Sequence, residues 1–213
     1  MIVNTVIAII TGYLLGSIPS AYIAGRLKKG VDIRKIGGGN MGALNAIREI
    51  GWPAGSLVLL TDLTKGILAV LIARWLGLQL LWVLVAGFMA VVGHNWPVFL
   101  KFRGGKGGAT VMGVLLALVP LEFLSGFVIT AIVVIITSNP ALGMGIGVLF
   151  IPLFIWWYNG SGLLIGFSLL LGLFVAARFI ISGLRKTPEG TDIKKGLIFS
   201  RDYHFWQVKK DRQ

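Results

Sequence analysis

Two short glycine clusters contain the residues of this chain that are best suited to hold a phosphate group. The first runs Gly37-Gly38-Gly39-Asn40-Met41-Gly42, and the second runs Gly104-Gly105-Lys106-Gly107-Gly108. Glycines beside basic residues at the start of a helix permit close approach of the backbone and expose N–H groups, and both features favour anion binding. We expect the two clusters to converge on one ligand. The alternative is that both are flexible loops at a membrane surface.

The phosphate motifs of soluble proteins fit neither cluster. Gly37, Gly39 and Gly42 match the G-x-G-x-x-G spacing of dinucleotide-binding proteins, but no strand-helix-strand pattern surrounds them. Lys106 is followed by glycine instead of Ser or Thr, so the nucleotide-binding pattern G-x-x-x-x-G-K-[ST] also fails. Neither histidine has an Asp five residues later, so the His-x-x-x-x-Asp dyad of many acyltransferases is missing. Because the nucleotide-binding pattern fails, an ATPase is also excluded.

Further polar side chains lie in apolar segments, where they need partners. Asp62 and Lys65 are three residues apart, so they share one face of a helix and are predicted to form a structural ion pair. His94 and Asn95 end an apolar segment just before the second glycine cluster, and we expect His94 to be a hydrogen-bonded brace in preference to a base. Arg48 is better suited to an anion, because a guanidinium can make paired contacts with phosphate.

The chain that positions these residues has the composition of a membrane protein. Of its 213 residues, 56% are hydrophobic and only 13% are charged, whereas about a quarter of an ordinary soluble domain is charged. Because the mean hydropathy is +0.86, nucleic acid is not expected as a partner despite a formal charge of +12. Cysteine is absent, which excludes disulfides and a thioester on a protein thiol. No metal or cofactor is expected, since no His/carboxylate cluster has ligand spacing.

Apolar runs predict an all-α membrane protein with seven transmembrane helices. The spans are placed at 2–25, 53–76, 79–98, 107–120, 122–137, 141–157 and 161–183. Loops 26–52 and 99–106 carry six and three Lys or Arg, whereas the opposite loops carry none. By the positive-inside rule, the basic loops and the C-terminus are cytoplasmic and the N-terminus is outside. The membrane domain then covers 1–183, and a basic, aromatic-containing cytoplasmic tail covers 184–213.

Together these residues resemble the integral-membrane acyl-phosphate:glycerol-3-phosphate acyltransferases of bacteria. The similar segments are Gly16 to Ser20, Asp32 to Arg34, Gly37 to Asn45, Arg48, Asp62 with Lys65-Gly66, and a highly specific run within Gly93 to Thr110. The resemblance implies an enzyme of the bacterial cytoplasmic (inner) membrane with its active site on the cytoplasmic side. Its reaction makes lysophosphatidic acid from an acyl phosphate and glycerol 3-phosphate, without a cofactor. The soluble enzyme that makes acyl phosphate is a candidate partner, and membrane lipid surrounds the protein.

The resemblance and the residue chemistry give one hypothesis for the site. Backbone N–H groups of 37–42 and 104–108, with Lys106 and Arg48, bind the two phosphates, while the acyl chain lies between helices. The expected catalytic residues are Lys106, Arg48 and Asn45. The expected binding residues are Gly37, Gly38, Gly39, Asn40, Gly42, His94, Asn95, Gly104, Gly105, Gly107, Gly108 and Thr110, supported by Asp62, Lys65 and Ser182.

The chain departs from the family pattern at three informative positions. Gly38 stands where the family usually has Ser, and Phe179 and Ser182 stand where it has His and Asn. These differences motivate an alternative, in which a paralogue of the same fold uses another acceptor or is inactive. An anion transporter is a less favoured alternative. Such transporters often contain inverted repeats and broken helices at the midplane, and this sequence shows no such symmetry.

Overall fold

The protein is helical throughout the part that the structure describes. The computed structural model describes residues 1–184, in which nine α-helices and two turns of 3₁₀ helix follow one another and no strand occurs. The predicted all-α fold is therefore confirmed. The predicted tail lies outside the described residues from position 185 onward. The helices are α1 (Ile2–Ser17), α2 (Ser20–Lys29), α3 (Ala43–Ile50), α4 (Trp52–Trp75), α5 (Leu80–Asn95), α6 (Gly108–Leu118), α7 (Pro120–Thr137), α8 (Pro140–Tyr158) and α9 (Gly162–Leu184).

Several helical segments are long and apolar enough to cross a membrane. Among the described residues there are five, at Ile2–Lys29, Trp52–Trp75, Leu80–Leu100, Pro120–Thr137 and Gly162–Ser182. The other two predicted spans contain the shorter apolar helices Gly108–Leu118 and Leu142–Tyr158. The 11 residues of α6 extend about 16 Å at the rise of an α-helix, which is about half of the hydrocarbon core of a bilayer. The count of seven spans therefore stays a prediction.

The first predicted span, 2–25, is wrong as a single helix, because the helix is interrupted between α1 and α2. Pro19 has no N–H to donate, so a regular helical ladder cannot pass through it. The N–H of Ser20 instead bonds to the carbonyl of Ile18 at 3.1 Å. As a result, the Ile18 carbonyl and the Ser20 hydroxyl are both available to polar side chains of α4.

The segment 26–52, predicted as a loop, contains a short helix. This helix, α3, has eight residues and lies between Gly42 and Gly51. Its buried residues are Ala43, Asn45 and Ala46. Eight residues make little more than two turns, so the apolar periodicity is too short to be recognised in the sequence. The first glycine cluster ends where α3 begins, and α3 therefore fixes one end of that cluster.

The chain divides into two compact units, Met1–Pro120 and Leu121–Gln213. In the first unit, α1 packs on α5, and α4 packs on α3, α5 and α6. Gly12 and Gly16 allow α1 to pack closely on α5. A Cβ atom at Gly12 or Gly16 would overlap the backbone carbonyl of Ala86 or Ala90 in α5. Both glycine clusters lie in this first unit.

The second unit, described as far as Leu184, contains the apolar helices α8 and α9, which pack on each other. Its buried Glu122 accepts a hydrogen bond of 2.6 Å from Nδ2 of Asn159. Phe179 and Ser182 lie near the end of α9, and Ser182 is half-buried. The supporting role expected for Ser182 stays a prediction.

Candidate functional site

The second glycine cluster, residues 104–108, is held by backbone hydrogen bonds to the end of α5. The N–H of Gly104 donates to the carbonyl of Asn95 at 3.1 Å, and the N–H of Gly105 donates to that of His94 at 3.0 Å. A Cβ atom at Gly105 would overlap Nε2 of the His94 ring. At Gly107, where φ is 86°, a Cβ would lie 2.6 Å from Nδ2 of Asn95. Glycine is therefore required at both positions.

The first glycine cluster, residues 37–42, is held instead by one side chain. Oδ1 of Asn45 accepts a hydrogen bond from the N–H of Gly38 at 2.8 Å. Nδ2 of the same residue donates to the carbonyls of Ile33, Ile36 and Asn40 at 3.0–3.3 Å. Asn45 is only 5% exposed. These contacts favour a positioning role for Asn45 over the catalytic role predicted from the sequence.

The two glycine clusters lie next to each other, as the sequence predicts. A Cβ atom at Gly105 would lie 2.9 Å from the carbonyl oxygen of Met41 in the first cluster. Gly39 and Gly104 also line one cavity of about 790 Å³. We call this the basic cavity. Its lining residues are Asp32, Arg34, Lys35, Gly39, Phe99, Leu100, Lys101, Arg103 and Gly104.

Several backbone N–H groups that were expected to bind phosphate are already used within the protein. Those of Gly104 and Gly105 donate to carbonyls of α5, and those of Gly38 and Gly39 donate to Asn45 and to the Ile36 carbonyl. These four hydrogen bonds fix the shape of the loops. Phosphate binding by the backbone of both clusters stays a prediction.

A buried polar cluster joins α2, α4, α5 and the link between α1 and α2. Nζ of Lys65 lies 2.8 Å from Oδ1 of Asp62, which confirms the predicted ion pair. The same carboxylate oxygen accepts a hydrogen bond of 2.6 Å from the Ser20 hydroxyl and lies 3.6 Å from Nδ1 of His94. Lys65 also donates to the Ile18 carbonyl at 3.2 Å. His94 thus sits between Asp62 and the second cluster, as expected of a brace.

The structure places the remaining predicted site residues in different surroundings. Arg48 is exposed in the last turn of α3, and Lys106 is half-buried between the glycines of its cluster. Asn40 lies beside Gly42, where a Cβ would be 2.9 Å from the Asn40 amide nitrogen. Thr110 is fully buried in α6, and its hydroxyl has no hydrogen-bond partner among the described residues. A direct contact of Thr110 with substrate would require this helix start to open.

An ion pair that the sequence did not predict lies in the segment just before the first glycine cluster. The Arg34 guanidinium contacts both carboxylate oxygens of Asp32, at 2.7–3.2 Å. It also donates to the Leu100 carbonyl at 3.5 Å and lies over the Tyr22 ring at 5.3 Å. The hydrogen bond from Arg34 lowers the pKa of Asp32 from 3.8 to about 2. The sequence contained two signals for this segment, namely an Asp two residues before an Arg and the resemblance of Asp32 to Arg34 to the family pattern, and neither specified an ion pair.

A family model and curated relatives agree on the type of protein that this chain resembles. The model for glycerol-3-phosphate acyltransferase matches residues 6–185. The "Glycerol-3-phosphate acyltransferase 1" of Dehalococcoides mccartyi is 44% identical over 197 residues, which are 90% of this chain and 94% of the relative. The glycerol-3-phosphate acyltransferase of Desulforamulus reducens is 37% identical over 194 residues, or 91% of this chain and 96% of the relative.

Solved structures give the same result for the fold. The chain is similar to crystal structures of PlsY (YgiH), an integral membrane glycerol 3-phosphate acyltransferase. The TM-score is 0.78 for its glycerol 3-phosphate form and 0.76 for its lysophosphatidic acid form, each at 31% sequence identity. Both alignments cover 85% of this chain, and they cover 90% and 91% of the respective solved chains.

Proposed function

The chain belongs to the glycerol-3-phosphate acyltransferase family, and from this premise we propose that it acylates glycerol 3-phosphate with an acyl phosphate as donor. The product is lysophosphatidic acid. The observation that carries the proposal is the convergence of two glycine clusters on one basic cavity in a multi-pass membrane fold. A similar solved protein is known in forms named for glycerol 3-phosphate and lysophosphatidic acid, the acceptor and product of this reaction.

The chemistry requires little of the protein beyond positioning and charge stabilisation. An acyl phosphate is a mixed anhydride, so its carbonyl is activated and its leaving group is inorganic phosphate. A hydroxyl oxygen of glycerol 3-phosphate attacks this carbonyl, an ester bond forms, and the acyl–phosphate bond breaks. The departing phosphate accepts the hydroxyl proton and leaves as inorganic phosphate, because a phosphate oxygen that gains negative charge is a usable base at neutral pH. No protein base is needed in this scheme.

Lys106 and Arg48 supply the positive charge for the two phosphates. Preorganised cations stabilise the charge that develops on the leaving group. Lys106 follows the two glycines that α5 holds in place, so its backbone position is fixed by the fold. Arg48 is carried by α3, the helix whose Asn45 side chain shapes the first cluster. The two cations therefore come from the two glycine regions.

The proposal includes an orientation of the chain in the membrane. The chain crosses the bacterial inner membrane seven times, with its N-terminus outside and the site on the cytoplasmic side, where the soluble enzyme that makes acyl phosphate can deliver the donor. Because the chain has no cysteine, single cysteines at Lys28 and Gln79 test this orientation without background. An impermeant maleimide added to intact cells should label the Gln79→Cys protein and leave the Lys28→Cys protein unlabelled.

A product assay with matched donors and acceptors tests the reaction itself. Purified protein receives palmitoyl phosphate or palmitoyl-CoA, together with glycerol 3-phosphate or another phosphorylated alcohol. Lysophosphatidic acid should form only from palmitoyl phosphate and glycerol 3-phosphate. Gly38, which replaces the family's usual Ser, favours one rival, in which the same fold acylates another acceptor. That rival is favoured if a different phosphorylated alcohol is acylated at least tenfold faster than glycerol 3-phosphate. A tenfold higher rate corresponds to an activation free energy that is lower by about 1.4 kcal/mol.

A further inference from the structure

The basic cavity carries more positive charge than the proposed reaction uses. Its lining includes four cationic side chains and one carboxylate. Lys35, Lys101 and Arg103 are exposed, and no carboxylate within residues 1–184 forms an ion pair with any of them. The proposed roles of Lys106 and Arg48 leave these three cations without a function.

The fourth cation, Arg34, is committed to holding the cavity in shape. Its guanidinium is paired with Asp32 at 2.7 Å, and it reaches across to the Leu100 carbonyl at 3.5 Å. The Arg34 side chain therefore joins the wall formed by residues 32–39 to the wall formed by residues 99–104. Asp32 is neutralised by this pair, so the carboxylate does not offset the other three cations. The cavity keeps an excess of about three positive charges.

Size and charge indicate what this cavity can bind. Its volume of about 790 Å³ lies within the range of about 300–1,000 Å³ that is usual for small-molecule sites. A cleft lined by charges of one sign concentrates the opposite ion and raises association rates by about 10–1,000-fold. A phosphate monoester carries close to two negative charges at neutral pH and matches three nearby cations. Gly104, two residues before Lys106, lines the same cavity.

We propose that the basic cavity is a vestibule that binds phosphate monoesters reversibly, before they reach Lys106 and Arg48. Lys35, Lys101 and Arg103 are its anion-binding residues. The inference rests on the proposed function only for the identity of the physiological anion. A water-soluble phosphate ester and the headgroup of a lysophosphatidic acid share the chemistry that these cations recognise. The vestibule acts on capture and leaves the chemical step unchanged.

Steady-state kinetics at several salt concentrations test the vestibule. The triple variant Lys35→Gln/Lys101→Gln/Arg103→Gln keeps side-chain length and removes the charge. With protein in neutral-lipid nanodiscs, KM for glycerol 3-phosphate at low ionic strength should rise about tenfold, while kcat stays within twofold. The fall of kcat/KM with added salt should be much shallower in the variant. Lys28→Gln, an exposed lysine of α2 outside the cavity, is the control and should behave like wild type.

An equilibrium binding measurement distinguishes the vestibule from the proposed acyltransferase function. Binding of inorganic phosphate to the intact protein is measured by calorimetry, and the triple variant should bind at least fivefold more weakly. If phosphate binding depends on the three cations while wild type makes no lysophosphatidic acid, the vestibule stands and the proposed function fails. Lysophosphatidic acid is then added as a competitor, and competition lost in the variant would extend the vestibule to the lipid headgroup. Unchanged phosphate binding and an unchanged salt response in the triple variant would overturn the vestibule proposal.

If the triple variant misfolds, the three single variants test the vestibule instead. Lys35→Gln, Lys101→Gln and Arg103→Gln change exposed side chains, and each should retain the wild-type elution volume and thermal midpoint. Each single variant should raise KM about two- to threefold. If all three folded single variants keep wild-type KM and salt response, the vestibule is rejected.

Discussion

The two glycine clusters both belong to the proposed phosphate site, but different contacts hold them in place. The second cluster, 104–108, is fixed by backbone hydrogen bonds to His94 and Asn95, and the side chains of the same two residues occupy the space where Cβ atoms would lie. The first cluster, 37–42, depends on the single amide of Asn45, and Gly37 and Gly38 are exposed. The second cluster is attached to the end of α5 by its backbone, whereas the first is a more exposed loop held mainly by the Asn45 side chain.

This difference explains where the chain tolerates a change from the family pattern. At Gly38 a Cβ atom would meet only Oδ1 of Asn45, at 3.5 Å, which is ordinary contact. At Gly105 the same atom would overlap the His94 ring. A substitution at Gly38 should therefore act mainly on contacts with ligand, while a substitution at Gly105 should also disturb the fold.

Gly105→Ala should have the largest effect. The added methyl group collides with His94 and with the Met41 carbonyl, so the two clusters are forced apart. We expect activity to fall by at least a hundredfold and the free energy of unfolding to drop by about 1–3 kcal/mol, as for overpacking of a buried site. Acyl transfer and thermal unfolding of the purified protein measure both.

Gly166→Ala is the matched control for that substitution. Gly166 lies in α9, and a Cβ atom there would have no neighbour within 4 Å. Its activity and unfolding midpoint should stay at or slightly above those of wild type, because Ala favours helix over Gly. Equal losses in both variants would contradict the distinction drawn here.

Asn45→Asp should have the next largest effect. The substitution keeps an oxygen to accept from the Gly38 N–H but removes the amide donor to the Ile33 and Asn40 carbonyls. The Ile36 carbonyl keeps its hydrogen bond from the Gly39 N–H. Leaving buried acceptors unsatisfied costs about 1–3 kcal/mol, and we expect KM for glycerol 3-phosphate to rise about tenfold. The control is Asn4→Asp, which removes a single amide donor to the Leu76 carbonyl and should leave KM unchanged. A wild-type KM in Asn45→Asp would show that the first cluster keeps its shape without this amide.

The Asp32–Arg34 pair, whose guanidinium also reaches the Leu100 carbonyl, predicts a pH dependence of stability. The pKa of Asp32 is lowered to about 2 in the folded protein, from an ordinary value of 3.8. A lowered pKa means that the stabilisation is complete above about pH 4 and is lost as the pH falls toward 2. At pH 6, Asp32→Asn should be less stable than wild type by about 2 kcal/mol. This difference should shrink when unfolding is measured near pH 2.5, and a constant difference would contradict the role of the ion pair.

Gly38→Ser should have the smallest structural effect. The backbone at Gly38 does not have a positive φ, and the space beside it is open. We expect an unfolding midpoint within about 2 °C of wild type, which corresponds to about 0.5–1 kcal/mol for a chain of this length, and a KM for glycerol 3-phosphate that is equal or lower. A large loss of stability would mean that the first cluster is as tightly packed as the second.

The sequence was sufficient for those features that depend on local patterns. Apolar runs predicted the main helices, and the spacing of Asp62 and Lys65 predicted their ion pair. The failures involve contacts between residues far apart in the chain or groups that carry no side-chain signal. Asn45 reaches back as many as 12 residues to satisfy carbonyls, and nothing in its neighbourhood marks it as a brace. Hydrogen bonding of the glycine N–H groups depends on where α5 ends, which only the folded backbone shows.

The charge of Lys106, carried by the second cluster, is the central requirement of the proposed reaction. The most direct measurement compares wild type, Lys106→Ala and Lys106→Arg in the formation of lysophosphatidic acid from palmitoyl phosphate and glycerol 3-phosphate. We predict that the alanine protein, folded normally, loses at least a hundredfold in kcat/KM, or about 2.7 kcal/mol of transition-state stabilisation. The arginine protein should recover part of this loss. Full acyl transfer by Lys106→Ala would contradict the account.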